Sequence, residues 1–393
     1  MRQKRKLFKR LKTISLYGLS QILGVFSILF LSLIIVKFKS VELWGEYAEI
    51  LIWSNFFLLF LSFGNHDYLL KNFSKSPSSI NQQWTNNILV RSLLLIPSAI
   101  LIFFTPVFNG LEIQIFLLIS LLFLTQSFKV LIVYHRKFLF NIWVEIGYNI
   151  CLIAFVFLIL ESLDLKKLIL VIISAQVFKL ICYLVFLLKG FQNLKFQLHF
   201  NELKKSSPFF IPLAVGTIRT KVDAYYGVHF FSVINLSKYQ IFLSFLALAQ
   251  MASSFAITPY LKNFYRSSNV IINRVQKKFF IYGWIFALLM CGIMFIVISK
   301  IYKLDFTLNQ YILAFMFMVP LFLHVLIVSE YYKKGEQNKI ALFASIVVAL
   351  QIVSGYFLIK FWDIDGALLL KTFGQWAIVG FLWFWIKQSD KDK

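Results

Sequence analysis

The chain has 393 residues, of which 60% are hydrophobic and only 15% charged, with a mean hydropathy of +0.77. A soluble domain of this size could not bury so much apolar side chain, whereas twelve spans of about 20 residues would place roughly 240 residues in hydrocarbon. The composition therefore excludes a soluble domain. The net charge of +23 does not indicate nucleic-acid binding, because the basic residues lie between apolar stretches and form no single patch.

Twelve apolar stretches are long enough to cross a bilayer. They cover residues 14–36, 46–63, 88–106, 113–134, 142–161 and 168–188 in the first half, and 209–230, 238–260, 279–299, 310–329, 340–361 and 365–386 in the second. The sequence therefore predicts an all-α polytopic membrane protein with twelve transmembrane helices. Pro97, Pro212 and Pro320 fall inside three of the predicted spans, where we expect kinks.

The basic residues between the apolar stretches indicate the orientation. The opening MRQKRKLFKRLK precedes a long apolar run without a small-residue cleavage site, which favours an uncleaved first helix over a signal peptide. With the N-terminus inside, most of the 40 Lys and Arg fall in cytoplasmic segments, so both termini are predicted to be cytoplasmic. Residues 261–278 mix basic and apolar side chains and are predicted to form an amphipathic helix at the inner surface.

The predicted connections are short and carry no catalytic motif. GxxxxGK[ST], HExxH and GxSxG are all missing from the sequence. Cys151, Cys182 and Cys291 lie in apolar stretches without CxxC spacing, which argues against a disulfide framework or a zinc site. We therefore predict no enzyme activity, no metal and no cofactor, and expect any energy for transport to come from a gradient.

A short repeat relates the two halves of the chain. Residues 40–47 read SVELWGEY and residues 232–239 read SVINLSKY, with Ser, Val and Tyr matching at an offset of 192 positions. Both segments are predicted as the first outside loop of a six-helix half, and a duplicated half with an even number of spans returns in the same orientation. The repeat predicts two pseudo-symmetric six-helix bundles, residues 1–190 and 208–393, joined by a cytoplasmic connection at 191–207. Chance similarity is the alternative.

Several segments resemble one membrane protein family. These are Gly18 and Gln21 in the first span, FKSVELWGEYAEILIW at the start of residues 38–76, Arg91, KVDAYYGVHFFSVINL within residues 220–265, and IDGALLLKTFGQWAIV at residues 364–379. On them the chain resembles the O-antigen and polysaccharide repeat-unit flippases (polysaccharide biosynthesis transporters) of the multidrug/oligosaccharidyl-lipid/polysaccharide exporter superfamily. It departs from that family at Lys39-Ser40 and Val233-Ile234, where a Gly-Pro is usual.

The resemblance implies a V-shaped pair of helix bundles that alternates access around a central cavity. The implied substrate is an undecaprenyl-pyrophosphate-linked oligosaccharide, an O-antigen or capsular repeat unit, moved from the inner to the outer leaflet of the bacterial cytoplasmic (inner) membrane. The implied partners are this substrate, membrane lipids and other polysaccharide assembly proteins, and no nucleic acid.

Ionisable residues in the predicted seventh span point to a ligand. Each costs about 2.5 to 3.5 kcal/mol at a helix centre on insertion scales, so it needs a partner. Arg219 and Asp223 are four residues apart and can pair along one helix face, and a structural ion pair is the simplest interpretation of them. Lys221 is left without a partner from its own helix. An anionic ligand would satisfy Lys221.

The first half contributes a second set of candidate substrate-binding residues. Arg91, Lys129 and Lys179 lie in predicted spans three, four and six, near the cytoplasmic side, and could form a basic entrance for a pyrophosphate group. Snorkelling of these side chains to the interface is the alternative. Asp223, Glu145 and Glu49 are candidates for coupling to a proton or sodium gradient, and the sequence does not choose between the two ions.

Two other functions are weighed against the flippase. A gradient-driven multidrug or small-molecule exporter of the same superfamily would favour an acidic cavity for cationic cargo. The predicted membrane interior instead holds six basic residues, which are Arg91, Lys129, Lys179, Arg219, Lys221 and Lys371. A membrane-embedded polysaccharide polymerase would need a large polar loop, and none is predicted. The sugar repeat and the oligomeric state stay open.

Overall fold

The computed structural model describes the backbone of residues 2–187, 198, 200–257 and 268–391, and the side chains of 15–185, 198, 200–255, 257, 268, 270–336 and 338–386. Within these ranges the regular elements are helices and no strand occurs, which confirms the all-α prediction. The predicted connection at 191–207 and the predicted surface helix at 261–278 lie partly outside the described residues. The described end of the latter, from Asn269, opens a longer helix.

Eight longer helices occupy the part of the chain described before residue 188. They are α1 (Arg2–Phe38), α2 (Val41–Ser62), α3 (Asn65–Lys75), α4 (Ile80–Ser92), α5 (Leu95–Phe104), α6 (Glu112–Tyr134), α7 (Phe138–Leu158) and α8 (Leu165–Leu187). The rest of the described chain forms α9 (Asn201–Phe230), α10 (Val233–Ile257), α11 (Asn269–Ile296), α12 (Leu308–Met318), α13 (Leu321–Lys334) and α14 (Gln337–Lys391). Inside α14, Asp363 has non-helical backbone angles (φ 49°, ψ −128°) that break it into two.

Nine stretches among the described residues are long and apolar enough to cross a membrane, so the chain is a multi-pass membrane protein. Exposed side chains fit that environment. Phe104, Leu158 and Phe361 expose 81%, 78% and 72% of their surface, which suits contact with lipid. The helices α9 and α10 are not among the nine, and the total of twelve spans stays a prediction.

The repeated segments predicted as loops are helical, which corrects that prediction. Ser40 is the N-cap of α2, and its Oγ accepts a hydrogen bond from the Leu43 amide at 3.1 Å. Ser232 precedes α10 in the same way, and its Oγ accepts from the Asn235 amide at 3.2 Å. A serine at this position satisfies an N–H group that has no acceptor inside the helix. The repeat therefore encodes two matching helix starts.

Prolines break two of the three helices in which kinks were expected. Leu93 and Leu94 separate α4 from α5, where Pro97 cannot donate a hydrogen bond to the Leu93 carbonyl. Val319 and Pro320 separate α12 from α13. Pro212 behaves differently, because α9 runs through it without interruption.

The chain divides into two compact units. The N-terminal unit comprises Leu19–Ser27 and Phe38–Ala214, and the C-terminal unit comprises Met1–Gly18, Ile28–Lys37 and Val215–Lys393. Aromatic side chains fill the core of the first unit, with Trp44, Phe73 and Phe108 fully buried. Tyr331 and Ile327 are fully buried in the second unit, in a cluster formed by α13 and the two parts of α14.

Candidate functional site

A buried ion pair joins α7 to α8 in the N-terminal unit. Lys179 Nζ lies 2.6 Å from Glu145 Oε1, and the two residues expose only 8% and 3% of their surface. The Lys179 ammonium also lies 5.1 Å from the centre of the Tyr148 ring, at a distance that suits a cation–π contact. Glu145 thus neutralises one of the three cations predicted for the basic entrance.

Lys129 of α6 lies beside this pair without joining it. Its side chain is half-buried and within electrostatic range of both Lys179 and Glu145. Among the described residues it has neither a hydrogen bond nor an ion pair. The three side chains together leave one positive charge, carried by a lysine without a counterion.

Arg91 of α4 connects three helices. Its Nε donates to the Leu61 carbonyl at 2.9 Å, Nη1 to Asn87 Oδ1 at 3.3 Å, and Nη2 to Ser127 Oγ at 2.9 Å. The residue is only 2% exposed, and its guanidinium lies 4.9 Å from the centre of the Phe123 ring. Arg91 and Lys129 line a common cavity of about 270 Å³, whereas Lys179 does not. The structure therefore brings two of the three predicted entrance cations together.

The C-terminal unit has its own buried pair, between α9 and α14. Asp223 is fully buried, with Lys371 Nζ 3.1 Å from its Oδ2 and 3.3 Å from its Oδ1. Lys371 also donates to the Thr220 carbonyl at 2.8 Å, and the Tyr239 hydroxyl of α10 donates to Asp223. The carboxylate is held by three helices.

The Arg219–Asp223 pair expected from their spacing is not formed. Arg219 Nη1 instead donates to Gln375 Oε1 of α14 at 3.4 Å, and the guanidinium is buried. The spacing argument considered α9 alone, whereas Lys371 and Tyr239 reach the carboxylate from neighbouring helices.

Lys221 is half-buried and within electrostatic range of Lys371 and Asp223. It forms no hydrogen bond or ion pair in the described part of the chain. The prediction that its own helix leaves it without a partner thus extends to the neighbouring helices that the structure describes.

Each unit therefore holds the same combination of charges: a buried acid paired with a lysine, a second lysine without a partner among the described residues, and a buried arginine. Lys371 follows Lys179 by 192 positions, which is also the offset from Ser40 to Ser232. Lys371 was predicted to lie in the membrane interior but not to belong to the site. The repeat offset is the signal that could have identified it.

The three candidate coupling acids have different surroundings. Asp223 and Glu145 lie in the two buried pairs. Glu49 is half-buried on α2, with Glu46 as the charged residue within electrostatic range. No described contact joins Glu49 to either cluster. Within the described ranges no group of three or more His, Cys, Asp or Glu side chains is arranged to hold a metal ion.

Comparison with known proteins gives structural neighbours only. No protein-family model matches the chain, and no curated protein sequence does. The lipid II flippase MurJ in an inward closed conformation is 19% identical, with a TM-score of 0.70 over 95% of this chain and 87% of MurJ. A mutant of the Vibrio cholerae MATE transporter VcmN is 12% identical, with a TM-score of 0.58 over 98% of each chain. The eukaryotic MATE transporter AtDTX14 is 15% identical, with a TM-score of 0.52 over 99% of this chain and 98% of its own. The chain therefore has the all-helical membrane fold found in MurJ and the MATE transporters.

Proposed function

We propose that the protein is a flippase that moves an undecaprenyl-pyrophosphate-linked oligosaccharide, an O-antigen or capsular repeat unit, from the inner to the outer leaflet of the bacterial cytoplasmic membrane. The observation that carries this proposal is a lysine in each unit, Lys129 and Lys221, that lies beside a buried ion pair and has no partner in the part of the chain that the structure describes. A charge within a membrane protein is costly unless a counterion accompanies it. A pyrophosphate group in transit would provide that counterion.

The chemistry of the two clusters supports an anionic cargo. Glu145 and Asp223 each neutralise one lysine, so each cluster keeps one ammonium free. An ammonium is a compact point charge that can follow a phosphate as it moves, whereas an arginine fork fixes the geometry of its partner. A mobile substrate would thus meet Lys129 and Lys221, while Arg91 and Arg219 hold neighbouring helices.

The fold also supports this proposal. MurJ, which shares the fold over 95% of this chain, is a flippase of lipid II. Transport of a large lipid-linked molecule is thus compatible with helices arranged in this way. Alternating access is the mechanism that we propose for it.

We further propose twelve transmembrane helices in two six-helix bundles, residues 1–190 and 208–393, with a cytoplasmic connection at 191–207 and both termini in the cytoplasm. The nine apolar stretches of the described chain count as ten spans when the last is divided at Asp363. The helices α9 and α10, with 30 and 25 residues, would be the remaining two. At about 1.5 Å per residue each is long enough to cross about 30 Å of hydrocarbon.

Coupling to a gradient is proposed at the buried acids. Protonation of Asp223 or Glu145 would remove the counterion of Lys371 or Lys179, which would alter the charge that the cluster offers to an anion. Glu49 is the weakest of the three candidates because no described contact links it to a cluster.

The alternative function is a gradient-driven exporter of drugs or other small molecules. It is favoured by the MATE transporters, which share the fold over 98% of this chain for VcmN and 99% for AtDTX14. The free lysines argue against cationic cargo, because they would repel it.

A transport assay distinguishes the two functions. The purified protein would be reconstituted in proteoliposomes containing a fluorescent undecaprenyl-pyrophosphate oligosaccharide, and its movement between leaflets would be followed by quenching from outside. We expect wild-type protein to accelerate transfer, and Lys129→Ala and Lys221→Ala each to slow it about tenfold, since one charge contact to phosphate contributes about 1.4 kcal/mol or more.

Lys166→Ala is the matched control, because Lys166 is an exposed lysine of α8 that likewise lacks a described partner. We expect this variant to transfer the lipid at the wild-type rate. Wild-type rates in Lys129→Ala and Lys221→Ala would refute the role of the free lysines. Export of cationic dyes without transfer of any lipid-linked sugar would favour the alternative.

A further inference from the structure

The chain makes a tight turn between α2 and α3 in the N-terminal unit. Phe63 and Gly64 both have left-handed backbone angles there, with φ values of 41° and 69°. A Cβ on Gly64 would lie 2.6 Å from the backbone nitrogen of Phe210, so this position has no room for a side chain. Gly64 is also the N-cap residue of α3, and that helix consequently begins without a side-chain cap.

The uncapped start of α3 is an electropositive end. The first N–H groups of a helix have no acceptor within it, and the helix dipole adds partial positive charge at the same place. The 11-residue helix α3 begins at Asn65. A cavity of about 270 Å³ lies against this end, with Ser62, Asn65, His66, Arg91, Gln126 and Lys129 among its lining residues.

Asn65 provides an independent indication of a ligand. The residue is only 6% exposed, it lines the cavity, and its buried Oδ1 has no hydrogen-bond partner. An unpaired polar atom of this kind costs about 1–3 kcal/mol. The Nδ2 donor of the same amide also has no hydrogen-bond partner among the described residues, so Asn65 can donate to a group in the cavity.

The charges around the cavity select an anion. Arg91 uses three of its five N–H donors on Leu61, Asn87 and Ser127, and Lys129 uses none on the described residues. No carboxylate is among the described residues that line the cavity. Asp67, in the first turn of α3, does not line the cavity, and its Oδ1 forms a hydrogen bond with His66 Nδ1 at 3.1 Å.

We infer that this cavity binds a phosphate group through the first turn of α3 and the side chains of Asn65, Arg91 and Lys129. The volume of the cavity, about 270 Å³, is slightly smaller than that of the smallest ligand pockets, which is about 300 Å³. This size suits a small anion better than a sugar. Backbone N–H groups at a helix start together with cationic side chains are a recurrent way of holding phosphate. That the phosphate belongs to the lipid-linked substrate rests on the proposed function; an anionic phospholipid would present the same chemistry.

The test places a reporter thiol in the cavity. Ser62→Cys would be introduced after Cys151, Cys182 and Cys291 have been replaced by Ser, and the protein would be reconstituted in nanodiscs of zwitterionic lipid. A water-soluble thiol reagent then labels position 62 with and without pyrophosphate at constant ionic strength. We expect saturating pyrophosphate to slow the labelling at least about tenfold by occupying the cavity.

Two substitutions test the ligands. Lys129→Ala and Asn65→Ala are each expected to raise the pyrophosphate concentration for half-protection about tenfold, which is the effect of losing one charge-assisted or buried hydrogen bond. Lys166→Ala, which removes an exposed lysine of the same unit, should leave that concentration within about twofold. Protection that is absent, or that is unchanged in both cavity variants, would overturn the inference.

A second arm distinguishes the sources of the phosphate. Nanodiscs containing phosphatidylglycerol would protect position 62 without added pyrophosphate if a lipid headgroup occupies the cavity, and would leave labelling fast if it does not. Protection combined with a lack of oligosaccharide transfer would refute the proposed function and keep the phosphate cavity. Transfer of oligosaccharide without protection by either anion would keep the function and refute the cavity.

Discussion

Replacing Asp223 by alanine is expected to lower the free energy of unfolding by about 3–5 kcal/mol, because removing one partner of a buried ion pair leaves the other charge uncompensated. The carboxylate is fully buried, and its loss would leave Lys371 without a counterion and the Tyr239 hydroxyl without its acceptor. Thermal and denaturant unfolding of the purified protein in detergent micelles would measure the effect.

Two control variants distinguish the effect of breaking the Asp223–Lys371 ion pair from the effect of removing a charge. Asp223→Asn combined with Lys371→Met removes both charges at similar volume and keeps an oxygen that can accept from the Tyr239 hydroxyl, so we expect it to recover most of the lost stability. Lys221→Ala removes a half-buried lysine of the same cluster that has no described partner, so it should change stability by less than about 1 kcal/mol. Equal stability of Asp223→Ala and Lys221→Ala would contradict the role of the pair.

The double variant also reports on coupling. A protein in which both charges have been removed and stability has been recovered retains the contact between α9 and α14, but it has no acid at this position to exchange a proton or hold a cation. Loss of gradient-driven transfer in that variant would assign coupling to the pair. Full transfer would limit Asp223 and Lys371 to holding the helices together.

The helical spans were predictable because a stretch of about 20 apolar residues is a strong and local signal. The residues at which helices begin and end were harder to predict. Residues 40–47 were predicted as a loop because they fall where the apolar stretch 14–36 has ended and the next, 46–63, is only beginning, yet Ser40 caps the helix and Trp44 and Tyr47 are buried. Hydropathy does not register a capping serine, although a serine at this position is a direct signal for the start of a helix.

Helix α3 was missed for a related reason. Residues 64–87 lie between the apolar stretches 46–63 and 88–106, and no helix was predicted for them. The helix buries Tyr68, Leu69 and Phe73 at the spacing of one helical face, however, and leaves Lys71 and Lys75 exposed. Amphipathic periodicity, and not average hydropathy, is the signal for such a helix.

The candidate site shows a sharper limit. Single intramembrane charges could be identified from the sequence because each is costly and rare. Their partners could not be identified, since Asp223 pairs with a lysine 148 residues away and Asn65 gains its significance only from burial. The offset of 192 positions between Lys179 and Lys371 was the one sequence signal that relates the two clusters.

Arg91 and Lys129 line one cavity, yet their substitutions are expected to differ in their effect on stability. Arg91→Ala should lower the free energy of unfolding by about 3–5 kcal/mol, because it removes three hydrogen bonds from a charged donor and leaves their acceptors on α2, α4 and α6 unpaired. Arg91→Lys keeps the charge but cannot reproduce a planar fork with three directed bonds, so we expect a loss of about 2–3 kcal/mol.

Lys129→Ala is the comparison within the same cavity. Since Lys129 has no described hydrogen bond, its removal should leave unfolding unchanged while it weakens pyrophosphate protection and slows transfer. Unfolding of all three variants in the same micelles, compared with transfer rates, would measure the difference. An Arg91→Lys protein as stable as the wild type would mean that the three bonds do not hold the helices, and would leave anion binding as the one role of Arg91. The expected result gives Arg91 two roles: it holds the wall of the cavity through three hydrogen bonds, and its two remaining N–H groups can donate to the anion. Lys129 then serves the anion alone.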